Sequence, residues 1–290
     1  MKILVTGAGG FIGRRLTSRL KLCGHDIFGL SLKFLPEGPS AYKEFYQQDI
    51  SRPFALKIHF DLVIHLAAYN ITNIGDKDRG LYTAVNADGT RHLLRGVGTD
   101  KFIYMSTAKV YKNEGLRLTE ESPLAPQGAY EQSKLNGEEE CRSVLEKEKL
   151  VILRSVNVVG WGQAAKAVLP VFFQKAKTNH PLDIMGAADA LMQFVYVGDL
   201  IDAIEAAISH EKAHGIFNIA HEETISLEGL ARNIIAMTGS KSVLNITAGT
   251  PKNTFSPVIC DKARQQLGWK AKTGMAEILR SYKEEYDRGQ

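Results

Sequence analysis

Apolar residues fall along the chain in short runs that alternate with longer stretches of helical spacing, beginning at the third residue. Ile3-Leu4-Val5 predicts a strand, and Phe11, Ile12, Leu16 and Leu20 recur as one helix face, which predicts a helix over 11–23. Residues 27–32 predict a second strand, and 44–47, 62–66, 102–105 and 151–153 predict four more. The runs around Val63, Phe102 and Val151 are apolar without strict alternation, the pattern of parallel strands covered on both faces. Helical spacing lies between them, over 81–96 and 130–147. Such alternation predicts an α/β chain with a doubly wound parallel sheet. After Gly160 the texture changes, with helices expected at 164–178 and 227–238 and short strands at 194–197 and 217–219. The expected organisation is a domain over 1–160, to which 191–220 returns, with a smaller C-terminal region of 161–190 and 221–290.

Thr6-Gly7-Ala8-Gly9-Gly10-Phe11-Ile12-Gly13 joins the first strand to the first helix. Gly7 suits a tight turn, Gly10 lets backbone approach a pyrophosphate, and Gly13 allows close packing of helix on strand. The helix N-terminus adds unpaired N–H groups and a positive dipole end. This predicts a Rossmann unit that binds a dinucleotide at Gly7, Gly10, Phe11, Ile12 and Gly13. About twenty residues further on, NAD enzymes carry an acid for the ribose 2′-hydroxyl. Here Ser31 stands in that place with Lys33 close by. A missing carboxylate removes repulsion against a 2′-phosphate, so the cofactor is read as NADP or NAD with a lean to NADP.

Tyr130-Glu131-Gln132-Ser133-Lys134 puts a tyrosine and a lysine four apart on one helix face. A phenol of ordinary pKa about 10 is a poor base at neutral pH, and an adjacent ammonium stabilises its phenolate. Ser106-Thr107 follows the strand over 102–105 directly, so its hydroxyls are placed to bond a substrate oxygen. Asn86, a polar residue in the helix over 81–96, could order the site or a water.

Composition narrows the partners. The 36 basic and 32 acidic residues give a net charge of +4 without a long basic run, which argues against nucleic acid as a ligand. Three scattered cysteines argue for a reducing compartment and against a disulfide framework or a zinc site. No apolar stretch approaches the roughly 20 residues that span a bilayer, so a cytoplasmic location away from membranes is expected. The eight histidines show no metal spacing. His65, Tyr111, Trp161 and Trp269 are read as packing residues, and Glu138-Glu139-Glu140 as a solvated helix face.

Taken in order, TGAGGFIG, QQDI, DLVIHLAA, VNADGTRHLL, YMSTAKVY, YEQSK, LRSVNVVG, FVYVGDL, FNIA and LGW give a chain that resembles the extended short-chain dehydrogenase/reductase family almost end to end. The branch it is similar to contains NAD(P)-dependent nucleotide-sugar epimerases, dehydratases and reductases. The resemblance implies Tyr130 as acid/base, Lys134 as its partner on the nicotinamide ribose, and Thr107 as the hydroxyl that positions the reacting oxygen. It implies Asp49 and Ile50 at the adenine, and Leu66, Ala67, Ala68 and Asn86 along the cofactor. Substrate contacts would come from Tyr69, Ser106, Thr107, Asn157 and Gln193, and a homodimer would form through helices like those at 81–96 and 130–147.

Two departures bear on the reaction. The 4,6-dehydratases of that family carry an acidic pair after the threonine, whereas Ala108-Lys109 stands here, which leaves 4-epimerase or 4-ketoreductase chemistry. Gln193 stands where nucleotide-sugar members carry an arginine, and 251–260 contains no arginine. A reductase of a non-nucleotide sugar or other small carbonyl compound is therefore a second reading, and a non-catalytic NAD(P)-sensing protein a third.

Overall fold

The apolar runs of the first 155 residues, most of them buried, become six strands of one sheet, which a strand at Gly215–Ile219 joins. The computed structural model describes residues 1–33, 42–70, 79–186, 188–247 and 256–288. In chain order the elements are β1 (Lys2–Thr6), α1 (Phe11–Leu22), β2 (Asp26–Ser31), β3 (Glu44–Gln47) and β4 (His59–His65). Then come α2 (Arg79–Tyr82), a π-helical turn (Thr83–Asp88), α3 (Gly89–Gly96), β5 (Gly98–Thr107), α4 (Ala129–Val144) and β6 (Leu150–Ser155). The remainder is β7 (Asn157–Val159), α5 (Val168–Lys177), β8 (Leu182–Met185), β9 (Leu191–Tyr196), α6 (Val197–Ser209), β10 (Gly215–Ile219), β11 (Thr224–Ser226), α7 (Leu227–Thr238), β12 (Leu244–Thr247), α8 (Asp261–Leu267) and α9 (Met275–Arg288).

Seven strands form the main sheet in the order β10-β6-β5-β4-β1-β2-β3, the doubly wound Rossmann arrangement the alternation predicts. β1 pairs in parallel with both β2 and β4, with Leu4 opposite Phe28 on one side and Val63 on the other. The strand order therefore reverses beside β1, and ligands of such sheets bind at the carboxyl ends of the strands flanking that point. Leu4, Phe28, Phe60, Val63, Phe102 and Ile152 are buried together, each worth about 1.5–3 kcal/mol of apolar burial.

The chain divides into two compact units. One comprises 1–112, 123–155 and 204–217, and the other 113–122, 156–203 and 218–290. The second unit has its own core, in which Leu169, Phe173, Leu230, Ile234 and Ile278 are buried. Among the described residues there are also a three-stranded sheet (β11-β9-β7) and a two-stranded one (β12-β8).

Several elements differ from expectation. The helix expected over 81–96 is broken by the π-helical turn, and α5 begins at Val168 because Ala167 is extended. The strand expected at 194–197 ends at Tyr196, where α6 begins. β8, β12 and α8 are too short to stand out in the sequence, whereas α6 and α9, of 13 and 14 residues, are amphipathic helices additional to those expected.

Candidate active site

The strand-to-helix turn follows β1 at the point where the sheet order reverses. Gly7 adopts φ +68, and a Cβ there would lie 2.8 Å from the amide nitrogen of Ala67. A side chain would thus be strained by its backbone and would collide with the segment after β4. Gly10 caps α1 in extended conformation, no side chain bonds the first turn, and no acid stands in it. The first N–H groups of α1 are consequently left for an anion, which fits the pyrophosphate of a dinucleotide. Phe11 and Ile12 are half-buried at this helix start, and Arg15 covers the Phe11 ring at 4.8 Å.

Ser31 ends β2 half-buried, and Lys33 is exposed two residues on. Asp49 is folded back on its own turn, accepting from the backbone N–H and the hydroxyl of Ser51 at 2.9 and 2.7 Å. Those bonds hold its carboxyl below the usual range. Ile50 is buried, and Leu66, Ala67, Ala68 and Tyr69 are half-buried after β4.

A hydrogen-bonded chain runs from the glycine turn to α4. Ala67 N–H donates to Thr6 Oγ1 at 3.2 Å, and Thr6 Oγ1 bonds His65 Nδ1 at 2.6 Å. His65 Nε2 bonds Thr90 Oγ1 at 3.0 Å, and that hydroxyl donates its one hydrogen to the carbonyl of Asn86 at 2.8 Å. Nε2 must then carry the imidazole proton. Asn86, fully buried in the π-helical turn, accepts from Tyr69 N–H at 2.7 Å and donates to the carbonyl of Tyr69 and to Ser133 Oγ at 3.0 and 2.9 Å. Ser133 donates in turn to the carbonyl of Tyr130 at 2.7 Å. Asn86 is thus a strut between the segment after β4 and the first turn of α4. His65 packs as expected, and its two threonine partners were not foreseen.

Thr107, Tyr130 and Lys134 all belong to the first unit. Thr107 ends β5, is buried, and accepts from the backbone N–H of Lys109 at 3.3 Å. Tyr130 lies in the first turn of α4, half-buried, with its ring 6.1 Å from that of Tyr82, which in turn stacks edge-on with Tyr69 at 5.2 Å. Burial, Glu131 and Tyr82 push its phenol above the ordinary range. Lys134 is buried, with its ammonium 4.1 Å from the centroid of the Tyr104 ring, and burial lowers it to about 8. The depressed phenol expected from the Tyr/Lys spacing is therefore not found, because Lys134 faces Tyr104.

Three residues depart from their expected surroundings. Ser106 is buried and donates its hydroxyl to Glu138 at 2.6 Å, so that hydrogen is not offered to a ligand. Glu138 is fully buried rather than solvated, while Glu139 is exposed. It is held bidentately by Arg154, itself 1% exposed, at 2.9 and 2.6 Å. In the second unit Gln193 is buried and donates both amide hydrogens, to the carbonyls of His221 and Val258 at 2.7 and 3.0 Å, while its oxygen accepts from Val258 N–H at 2.9 Å. Asn157 is exposed at the start of β7. The arginine-free stretch 251–260 lies partly outside the described residues. Among the described residues no cluster of three or more His, Cys, Asp or Glu could hold a metal, and no helix is long and apolar enough to cross a membrane.

Comparison with known proteins agrees with this geometry. Residues 3–220 match the model of the NAD dependent epimerase/dehydratase family. The chain is 28% identical to a dTDP-D-glucose 4,6-dehydratase of Mus musculus, over 98% of this chain and 88% of that protein. It is equally 28% identical to the dTDP-4-dehydro-6-deoxyglucose reductase of Escherichia coli, over 92% of each. Its fold superposes with a TM-score of 0.87 on the UDP-glucuronic acid 4-epimerase of Bacillus cereus in complex with UDP-glucuronic acid and NAD, at 26% identity over the whole of both chains. The reversal of strand order at β1, the uncapped start of α1 and similarity along the full chain converge, and the protein belongs to the NAD dependent epimerase/dehydratase family, as an enzyme of the extended short-chain dehydrogenase/reductase type.

Proposed function

We propose that this enzyme moves a hydride between a nicotinamide dinucleotide and a ring carbon of a nucleotide-linked sugar, as a 4-ketoreductase or a 4-epimerase. The observation that carries the reading is that Thr107, Tyr130 and Lys134 share the unit that holds the glycine turn. Gly7, Gly10, Phe11, Ile12 and Gly13 would hold the pyrophosphate, Asp49 and Ile50 the adenine end, and Leu66, Ala67 and Ala68 the intervening length. The bound nicotinamide supplies or takes up the hydride. Thr107 would orient the sugar oxygen, and Tyr130 would give it a proton or accept one. Lys134 would bond the nicotinamide ribose and, as a cation, favour the phenolate when the proton has left.

Two features favour reduction over the other reactions of the family. A phenol held neutral by burial is the form that donates a proton to a ketone oxygen. Ala108, buried, and Lys109, exposed, follow Thr107 where elimination of water would call for acids. Ser31 and Lys33 support NADP over NAD. Incubation with NADPH or NADH and a panel of nucleoside-diphosphate 4-keto and 4-hydroxy sugars tests this. Oxidation followed at 340 nm with 4-keto sugars is the expected result. Interconversion without net oxidation would make the enzyme an epimerase, and inertness toward every sugar would overturn the reading.

A second reading, reduction of a non-nucleotide carbonyl compound, is favoured by Gln193, whose amide hydrogens are both spent on backbone. It predicts that no nucleoside diphosphate raises the melting temperature.

A further inference from the structure

Glu138 stands one helical turn after Lys134 on the same face of α4, and the proposed reaction gives it no part. Its carboxylate is completely buried yet reaches two strands and its own helix: Ser106 of β5 at 2.6 Å, Arg154 of β6 at 2.9 and 2.6 Å, and Arg142 of α4 at 2.7 Å. The Arg154 guanidinium in turn lies 4.7 Å from the centroid of the Tyr111 ring. A buried ion pair is often no more stabilising than a well-packed apolar pair of the same volume. What it does supply is direction, because a bidentate guanidinium accepts a carboxylate in few orientations. Ser106 adjoins Thr107, and Glu138 rides on the helix that carries Tyr130 and Lys134.

We propose that Glu138 is a positioning residue, which fixes α4 against the strand end that presents Thr107 and stands as the counter-charge to Lys134. This rests on the roles proposed above for Thr107, Tyr130 and Lys134. Among the described residues the groups that act on Lys134 are Tyr104 of β5, His65 of β4, and Glu138 and Cys141 of α4, with Tyr130 one turn before it on the same helix. Burial pushes the phenols of Tyr104 and Tyr130 and the thiol of Cys141 upward, so all three are neutral at pH 7. Burial lowers His65 to about 3, so it is neutral as well. Burial also acts upward on Glu138, but its bonds to Arg154 and Ser106 outweigh that and keep the carboxyl below the usual range. Glu138 is therefore the anion among these groups. Lys134, lowered to about 8 by burial, is drawn back upward by Cys141 and then by Glu138, and of these two Glu138 is the one that is charged at pH 7.

The test is the double variant Glu138→Gln/Arg154→Met, which keeps an acceptor for Ser106 and removes both members of the buried pair, so that Lys134 alone loses its anion. Four properties are measured: melting temperature, dissociation constants for NADPH and NADH, the pH midpoint of Lys134 acylation by competitive labelling with acetic anhydride, and turnover of any sugar the wild type accepts. The melting temperature and cofactor affinities should stay close to wild type. The Lys134 midpoint should fall by about half a pH unit or more, and kcat by roughly tenfold or more at nearly constant KM. Arg154→Gln in place of Arg154→Met provides a second version if the first does not fold. An unchanged Lys134 midpoint in a folded variant overturns the proposal. A wild type inert toward every sugar instead removes the functional reading, while the Lys134 midpoint still decides the role of Glu138.

Discussion

At Tyr130, burial, Glu131 and Tyr82 all disfavour the phenolate, so the phenol keeps its proton, the form that the proposed reduction requires. Positioned acid/base groups contribute about 10²–10⁴-fold to rate. Tyr130→Phe should therefore lower kcat by about a thousandfold, with NADPH affinity within a few-fold of wild type by fluorescence titration. A loss below tenfold would move the proton to another group. Lys33 is proposed for the other end of the cofactor. A charge-assisted contact is worth about 1.5–3 kcal/mol, so Lys33→Glu should weaken NADPH at least about tenfold and leave NADH almost unaffected. Equal weakening of both would remove Lys33 from the 2′-phosphate. Tyr130, Lys134 and Thr107 stood out in the sequence by type and spacing, because few other residues can do the chemistry proposed for them. The surroundings of Ser106, Gln193 and Glu138 were not, because a polar side chain reads alike whether it meets solvent, a ligand or a buried partner. One signal for Glu138 was present, since it lies four residues after Lys134 and shares its face.

The elements place these residues through close approaches that tolerate little change. A Cβ on Gly137 of α4 would lie 2.7 Å from the carbonyl oxygen of Asn86 and 2.8 Å from Cζ of Tyr104. Only a glycine lets α4 rest on β5 and the π-helical turn at this depth. Gly→Ala inside a helix ordinarily stabilises by about 0.5–1 kcal/mol, whereas forcing atoms into a filled core costs about 1–3 kcal/mol. At Gly137 the second effect should win, so Gly137→Ala is expected to lower the melting temperature by several degrees and to reduce turnover with it. Gly80→Ala in α2, where a Cβ meets nothing within 4 Å, serves as the control and should leave the melting temperature level or slightly higher. If both substitutions behave alike, the close packing of α4 is not what fixes the site. The helix over 81–96 was legible as helical, but its π-helical turn was not. One inserted residue barely disturbs an apolar repeat, yet it sets where the Asn86 side chain points.

At the scale of the whole molecule, the period-2 and period-3.6 patterns carried the strands and helices of the Rossmann sheet, and the glycine turn carried its orientation. The strand order follows from right-handed parallel crossovers, but the β8–β12 pair joins segments some sixty residues apart, and no local pattern announces it. What links the site to global stability is His65, sealed between Thr6 and Thr90. Burial first, and then Lys134, lower its pKa from 6.5 to about 3. A group whose folded pKa is depressed takes up its proton more readily in the unfolded chain. Its stabilising effect is complete above pH 6.5 and is lost as the pH falls toward 3, at up to about 1.4 kcal/mol per pH unit. Lys134 does not contribute in that window, because with a folded pKa of about 8 it is protonated in both states below it and adds stability only as the pH rises past 8. Between pH 7.5 and 5 the wild type should therefore lose about 2 kcal/mol through His65 alone, or several degrees in melting temperature. His65→Gln removes the titrating ring, so it should start from a lower melting temperature at pH 7.5 and lose clearly less on acidification. Scanning calorimetry of both proteins across that range decides the point: parallel curves would mean that the acid sensitivity of this enzyme resides elsewhere.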